Sequence, residues 1–227
     1  MICYLNCILF KMTDLTTLLR SGFARVCLNP LLFPESILPT RSLFFSVYNY
    51  GAIGFVVGHE LYHVINECGM HVSRASRDRW WSSEMRDRCY KQIKCFTDAY
   101  NTRMLLGRTC VCMPDKKTYL EDYPDVMGLD AAFRAYQSRL IDPSACLTLP
   151  RFEKYTCEQM FFISFANTLC GKVTSKTAAK HHIETSGHSL DSVRVNGAVR
   201  NSEFFQKAFH CSQDKPMNPP VKCNLWK

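Results

Sequence analysis

No stretch of the 227 residues approaches the roughly 20 consecutive apolar residues that a helix needs to span a bilayer, so this chain carries no helical membrane anchor. No CxxC occurs among its thirteen cysteines, which sets aside zinc-ribbon and dithiol-redox spacings, and "CVC" at Cys110 and Cys112 fits neither. No internal repeat is visible, which sets aside repeat architectures. No basic stripe is visible either. The net charge of +8 comes from scattered Lys and Arg, diluted by acids in clusters such as Arg86-Asp87-Arg88, whereas a nucleic-acid binder concentrates its charge on one face or motif. A nucleic-acid partner is therefore not expected. The opening "MICYLNCILFKMTDLTTLLR" has no basic residue ahead of its apolar run, which Lys11 breaks, and no small-residue cleavage site, so it makes a poor signal peptide.

What the chain does have is a globular composition. Hydrophobic residues make up 47% and aromatics 12%, enough for a real core in one large domain or two small ones. The cysteines read as disulfide partners in an oxidising compartment, and their odd number leaves at least one thiol free or paired outside the chain. Cysteine richness without an export signal is inconsistent, and the expectation that follows is an N-terminus lying further upstream.

Strand signals are sparse, so the class is mainly α. Residues 1–28 show no strong periodicity. Asn29 to Phe45 carries three prolines among large apolar residues and reads as buried extended chain and turns. From about Tyr50 to Glu67 the pattern is helical and apolar nearly all round, as in an interior helix, with Gly69 as a stop. Further helices are expected over Arg79 to Asn101, Leu120 to Ile141 and Cys157 to Gly171, with a Cys- and Gly-containing loop to about Thr118. The Ser-, Asn-, Pro- and Gly-rich tail reads as mostly loop, with a short helix near Ser202 to Phe209.

The stretch "GHELYHVINECG", Gly58 to Gly69, contains His-Glu-x-x-His. Residues four apart stack on one helix face, so His59 and His63 can put two imidazoles on one zinc ion. Glu60, about a hundred degrees round the helix from His59, can reach a water at the metal but cannot be the third ligand, which is the pattern of a metalloprotease. The motif is short and also arises by chance. Two features favour the metal: burying His, Glu and His side by side without a shared partner is costly, and a further carboxylate is available downstream. That carboxylate is Glu121, four before Asp125, so that one could bind zinc while the other accepts the N–H of a ligand histidine. The cluster Glu121-Asp122-Tyr-Pro-Asp125 equally suits a helix start, where acids complement the dipole, and the stretch by itself favours that plainer reading.

Longer segments carry a resemblance. "NYGAIGFVVGHELYHVINECG" resembles the zinc helix of the neprilysin and endothelin-converting-enzyme family of zinc metalloendopeptidases. "EDYPDVMGLDAAFRAYQ" is similar to that family's GENIADNGGLxxAYRAY helix, "FFISFANTLCG" to its FFLxFAQxWCG segment, and "HSLDSVRVNGAVRNSEFFQKAFHCSQDKPMNP" with "CNLW" to its C-terminal tail. The likeness runs from about Asn29 to Trp226. It implies a mainly α, thermolysin-like zinc-peptidase catalytic subdomain with few short strands, truncated relative to the family. Residues 1–28 are then a poorly defined N-terminal segment and 29–227 a partial catalytic domain.

The resemblance implies one zinc ion held by His59, His63 and Glu121, with Asp125 behind a ligand histidine and Glu60 as the general base. His188 matches the histidine that hydrogen-bonds the oxyanion, and Arg194 the arginine that holds a substrate carbonyl and orients groups beside the zinc. Ile37, Phe44, Phe55 and Val56 fall where the family lines an apolar S1′ pocket, although plain core packing suits them equally. Cys95 corresponds to the partner of Cys223, whereas Cys170 and Cys211 match cysteines whose partners lie near the family's N-terminus. Peptides are the implied substrates, cleaved on the amino side of hydrophobic residues, at an extracellular or cell-surface location. Departures accompany the match: Asn66-Glu67 replaces an acidic pair, Asp122-Tyr123-Pro124 replaces Asn-Ile-Ala, and Ser186 replaces the Asp before the catalytic-loop histidine. No substrate-clamping Asn-Ala-x-Tyr is recognisable in "SGFARVCLN". Pro124 fits only if its helix begins close to Glu121. The family's members are several times longer, so the competing reading is an inactive remnant that still binds zinc or a partner.

Overall fold

A computed structural model describes residues 47–66, 82–100, 103–106, 109–112, 118–139, 152–171 and 173–223. Seven α-helices and one hairpin are described. A π-helical turn, Tyr50–Gly54, leads into α1 (Phe55–Asn66). Then come α2 (Ser83–Tyr100), β1 (Arg103–Leu106), β2 (Thr109–Cys112), α3 (Tyr119–Arg139) and α4 (Cys157–Thr168). The chain ends on α5 (Lys176–Ser186), α6 (Asp191–Asn201) and α7 (Glu203–Ala208). The class is mainly α, as expected.

Helix α3 is the central element. Its second half carries Phe133 and Tyr136 into a cluster of rings, with Phe161 and Phe162 from α4 at 5.0 and 5.2 Å from Phe133 and Phe204 of α7 at 4.7 Å. Edge-to-face and offset contacts at these separations are favourable beyond their buried area. Its first half runs along α1. The N-terminus of α4 is fixed by a capping box, in which the Thr156 hydroxyl accepts from Gln159 N and the Gln159 side chain accepts from Thr156 N, satisfying two donors that the helix leaves over.

Several sequence expectations change. The loop expected before Thr118 contains an antiparallel hairpin, with Arg103 paired to Cys112 and Leu106 to Thr109. The tail is not mostly loop. Helix α5 is capped by the Ser175 hydroxyl, which accepts from Ala178 N, and ends on Gly187 at φ 71°, a left-handed turn that glycine makes without a Cβ penalty. Helix α6 buries only Val195, Gly197, Ala198 and Val199, a narrow stripe in an otherwise polar sequence. Pro124 lies inside α3, not in its first turn. Proline brings no N–H to the helix ladder at that position, and the helix continues.

The expectation that the zinc-motif helix is buried all round is also corrected. Val57 is 44% and Leu61 61% exposed, and Glu60 is exposed beside them. Helix α1 packs on α3 by one side, and these three residues occupy the other. Cys95 of α2 and Cys223 form a disulfide, S–S 2.02 Å and Cα–Cα 5.7 Å, which ties the C-terminal segment to α2. Cys170, exposed, and Cys211, buried, remain thiols.

Candidate metal centre

Three helices and one loop bring charged groups to the α1–α3 seam. His59 Nε2 and His63 Nε2 lie 3.0 Å apart, as one helical turn allows. Glu121 Oε2 from the first turn of α3 is 3.2 Å from the first and 3.3 Å from the second. His59 Nδ1 donates to Asp125 Oδ1 at 2.8 Å, so the neutral ring presents a lone pair from Nε2. Two imidazole nitrogens thus converge on one carboxylate oxygen, and that oxygen is closed to water. A tetrahedral zinc ion with bonds of about 2.0–2.1 Å holds its ligand atoms about 3.3 Å apart, which matches the three separations. The donor set and its spacing therefore fit zinc.

The support behind the ligands is rigid. Asp125 has no exposure and is gripped by Arg194 of α6, whose Nε donates to Oδ2 at 2.7 Å and whose Nη2 donates to Oδ1 at 2.8 Å. This is the bidentate geometry that makes arginine–carboxylate pairs strong and directional. His188 stands in the turn between α5 and α6. Its Nδ1 donates to the Ser186 carbonyl at 2.8 Å, and its Nε2 is 3.0 Å from Glu121 Oε2. Both ring nitrogens thus face oxygens, as suits an imidazolium.

The electrostatics follow from these contacts in the metal-free protein. Burial lowers the pKa of His59, but the bonds to Asp125 and Glu121 outweigh it and raise it to about 9. The Glu121 contact raises His188. Burial works to raise Glu121, yet the His188 and His59 imidazoles hold it well below the usual carboxylate range. A bound cation would reverse this protonation of the histidines. Burial, reinforced by Asp125, pushes Asp122 up to about 7 although the Ser189 hydroxyl donates to it at 3.0 Å.

The seam brings together His59, His63, Glu121, Asp125, His188 and Arg194. Glu60 joins them, with one oxygen among ligand-type atoms of His59 and His63 that all lie within 4.8 Å of one another. A second such group is His59, Glu121 and His188. Phe55 is buried against the Phe165 ring at 4.6 Å, a core position. Val56 is half-buried. Ile37 and Phe44 lie outside the described residues, as does Glu67. Sequence reasoning missed the Ser189–Asp122 bond, because no local spacing links residues 67 apart.

A mainly helical chain with an imidazole–imidazole–carboxylate cluster and a neighbouring free carboxylate on a His-Glu-x-x-His helix defines the zinc-peptidase class. The comparison with known proteins narrows this. The sequence profile of peptidase family M13 matches residues 25–225, and the chain belongs to that family. It is 35% identical over 205 residues to Neprilysin-3 of Drosophila melanogaster, covering 87% of this chain and 25% of that protein. It is 35% identical over 203 residues to endothelin-converting enzyme 1 of Bos taurus, covering 87% and 26%. Among solved structures it resembles the zinc metalloprotease Zmp1 of Mycobacterium tuberculosis bound to an inhibitor. There the TM-score is 0.64 and the identity 25%, with 80% of this chain and 28% of the other covered. The chain spans about a quarter of the length of the curated relatives it matches. Among the described residues, no helix is long and apolar enough to cross a membrane.

Proposed function

We propose that residues 29–227 are a partial catalytic domain of a zinc metalloendopeptidase that cleaves peptides on the amino side of hydrophobic residues, at an extracellular or cell-surface location. His59, His63 and Glu121 would hold one zinc ion. The observation that carries this reading is the convergence of their three ligand atoms, 3.0–3.3 Å apart, beside the exposed carboxylate of Glu60. Zinc in such a site supplies Lewis acidity, polarising a peptide carbonyl and making water a nucleophile near neutral pH.

The chain's own residues do the rest. Glu60 takes the proton of the attacking water and later delivers it to the leaving amine, a general base turned general acid. His188, with Nδ1 anchored on the Ser186 carbonyl, offers its Nε2–H to the oxyanion of the tetrahedral intermediate. Asp125 fixes the His59 tautomer, and Arg194 fixes Asp125 while its remaining N–H groups are available to a substrate carbonyl. By the family resemblance, Val56, Ile37 and Phe44 would contribute to an apolar pocket for the hydrophobic residue after the scissile bond. Phe55 would support that pocket from the core. The test is metal analysis of the purified chain together with cleavage of a short hydrophobic peptide with and without chelator. One zinc per chain and chelator-sensitive cleavage are expected. A chain free of zinc would remove the reading, and a zinc-bound chain with no turnover would favour the inactive remnant.

A further inference from the structure

Glycine in a helix interior weakens the helix relative to alanine, so buried glycines where two helices cross call for a physical reason. Gly58 directly precedes His59. Gly128 lies two turns beyond Glu121, on the face of α3 that carries Glu121 and Asp125. A methyl carbon on Gly128 would lie 2.5 Å from the backbone nitrogen of His59 and 2.8 Å from the carbonyl carbon of Gly58. One on Gly58 would lie 2.8 Å from the Gly128 carbonyl oxygen and 2.9 Å from its Cα. Backbone meets backbone here, with no flexible side chain to yield.

We propose that the Gly58–Gly128 contact is a positioning device for the metal centre. It sets the helix separation at which the Glu121 carboxylate on α3 reaches both histidines of α1 and Asp125 reaches His59. The inference rests on the zinc reading above. Ordinary contacts begin near 3.4 Å, so in a close-packed seam a methyl at residue 128 forces α1 and α3 apart locally by roughly 1 Å. Metal–ligand bonds tolerate deviations of only about 0.2 Å. Asp125 cannot follow α1, because Arg194 holds it to α6 through two bonds. The displacement therefore falls on the ligand set.

The test measures zinc affinity of the full chain by competition with a chelating indicator, alongside far-UV circular dichroism and melting temperature. Gly128→Ala should keep its helical content and bind zinc at least about tenfold more weakly, as supporting-residue changes do at other metal sites. Gly58→Ala, with a gentler closest approach of 2.8 Å, should lose less. Gly51→Ala is the control. Its methyl would collide with the Phe161 backbone of α4, a comparable packing fault at a different interface. It should lower the melting temperature and leave zinc affinity within about twofold, as expected of uncoupled sites. A folded Gly128→Ala chain with parental zinc affinity overturns the proposal, and so does an equal loss in Gly51→Ala. Should Gly128→Ala not fold, Gly58→Ala decides by the same criterion. A parent chain that holds no zinc removes the zinc reading and this proposal together, an outcome distinct from a parent and variant that bind zinc alike.

Discussion

Helix α3 joins two interfaces built from opposite materials. Its second half packs Phe133 and Tyr136 among the rings of α4 and α7, where Phe161, Phe162 and Phe205 are at most 1% exposed. Its first half presents Glu121, Asp122 and Asp125 to α1 and α6, and Asp122 and Asp125 are equally buried. The aromatic end gains from any well-filled arrangement of apolar volume. The acidic end has to offset desolvation with directed bonds, and a buried ion pair adds little net stability even when well formed. The difference teaches where stability and chemistry reside on one helix. The aromatic half holds the fold, and the acidic half uses that rigidity to fix a closely spaced set of charges.

The largest expected effect belongs to the chemical end alone. Glu60→Gln should retain zinc and lower kcat/KM on a short hydrophobic peptide by at least about a hundredfold, the loss expected of a general base. Cleavage at the parental rate would remove Glu60 from that role. Next, the two ends should separate under paired substitutions. Phe162→Ala should cost about 3–5 kcal/mol in chemical denaturation while a folded fraction still binds one zinc. His63→Ala, whose side chain is 32% exposed, should cost under about 1 kcal/mol in the metal-free state yet abolish stoichiometric zinc. If both variants lost stability and metal together, the division drawn on α3 would be wrong.

Replacing Cys95 and Cys223 by serine should cost about 2–5 kcal/mol and spare zinc affinity, which equilibrium unfolding and metal titration measure on the same sample. The smallest effect is a dependence on pH. Metal-free His59 has its folded pKa raised to about 9, above its unfolded value of about 6.5. The stability this contributes is fully present below about 6.5 and is lost as pH rises through about 9. Zinc binds the neutral ring, so zinc affinity should rise over that range while the melting temperature of the metal-free chain falls. Parallel rather than opposed trends would show that His59 does not carry the proton.

The two halves of α3 also differed in how far the sequence disclosed them. The aromatic half was legible, because Val126, Leu129, Ala132, Phe133 and Tyr136 recur at helical spacing and all are buried. The His59–His63 pair was legible from spacing too. Glu121 was a candidate only, since an acidic first turn is what any helix dipole favours, and the longer resemblance decided for it. Helices α5 and α6 stayed hidden because few and small side chains, Ala179 and Ile183, then Val195, Ala198 and Val199, form their inner faces. The hairpin was masked by its mixed composition. The Gly58–Gly128 and Asp122–Ser189 contacts are tertiary, and no local pattern encodes contacts across such separations.

The disulfide between Cys95 and Cys223 spans 128 residues and makes the chain a ring with a tail. Inside the ring lie Glu121, Asp125, His188 and Arg194. His59 and His63 sit on the tail that enters it. A zinc ion held by His59, His63 and Glu121 would be a clasp between tail and ring, closing a further circuit in the chain's connectivity. The two fastenings answer to different reagents, since a reductant opens the ring and a chelator opens the clasp.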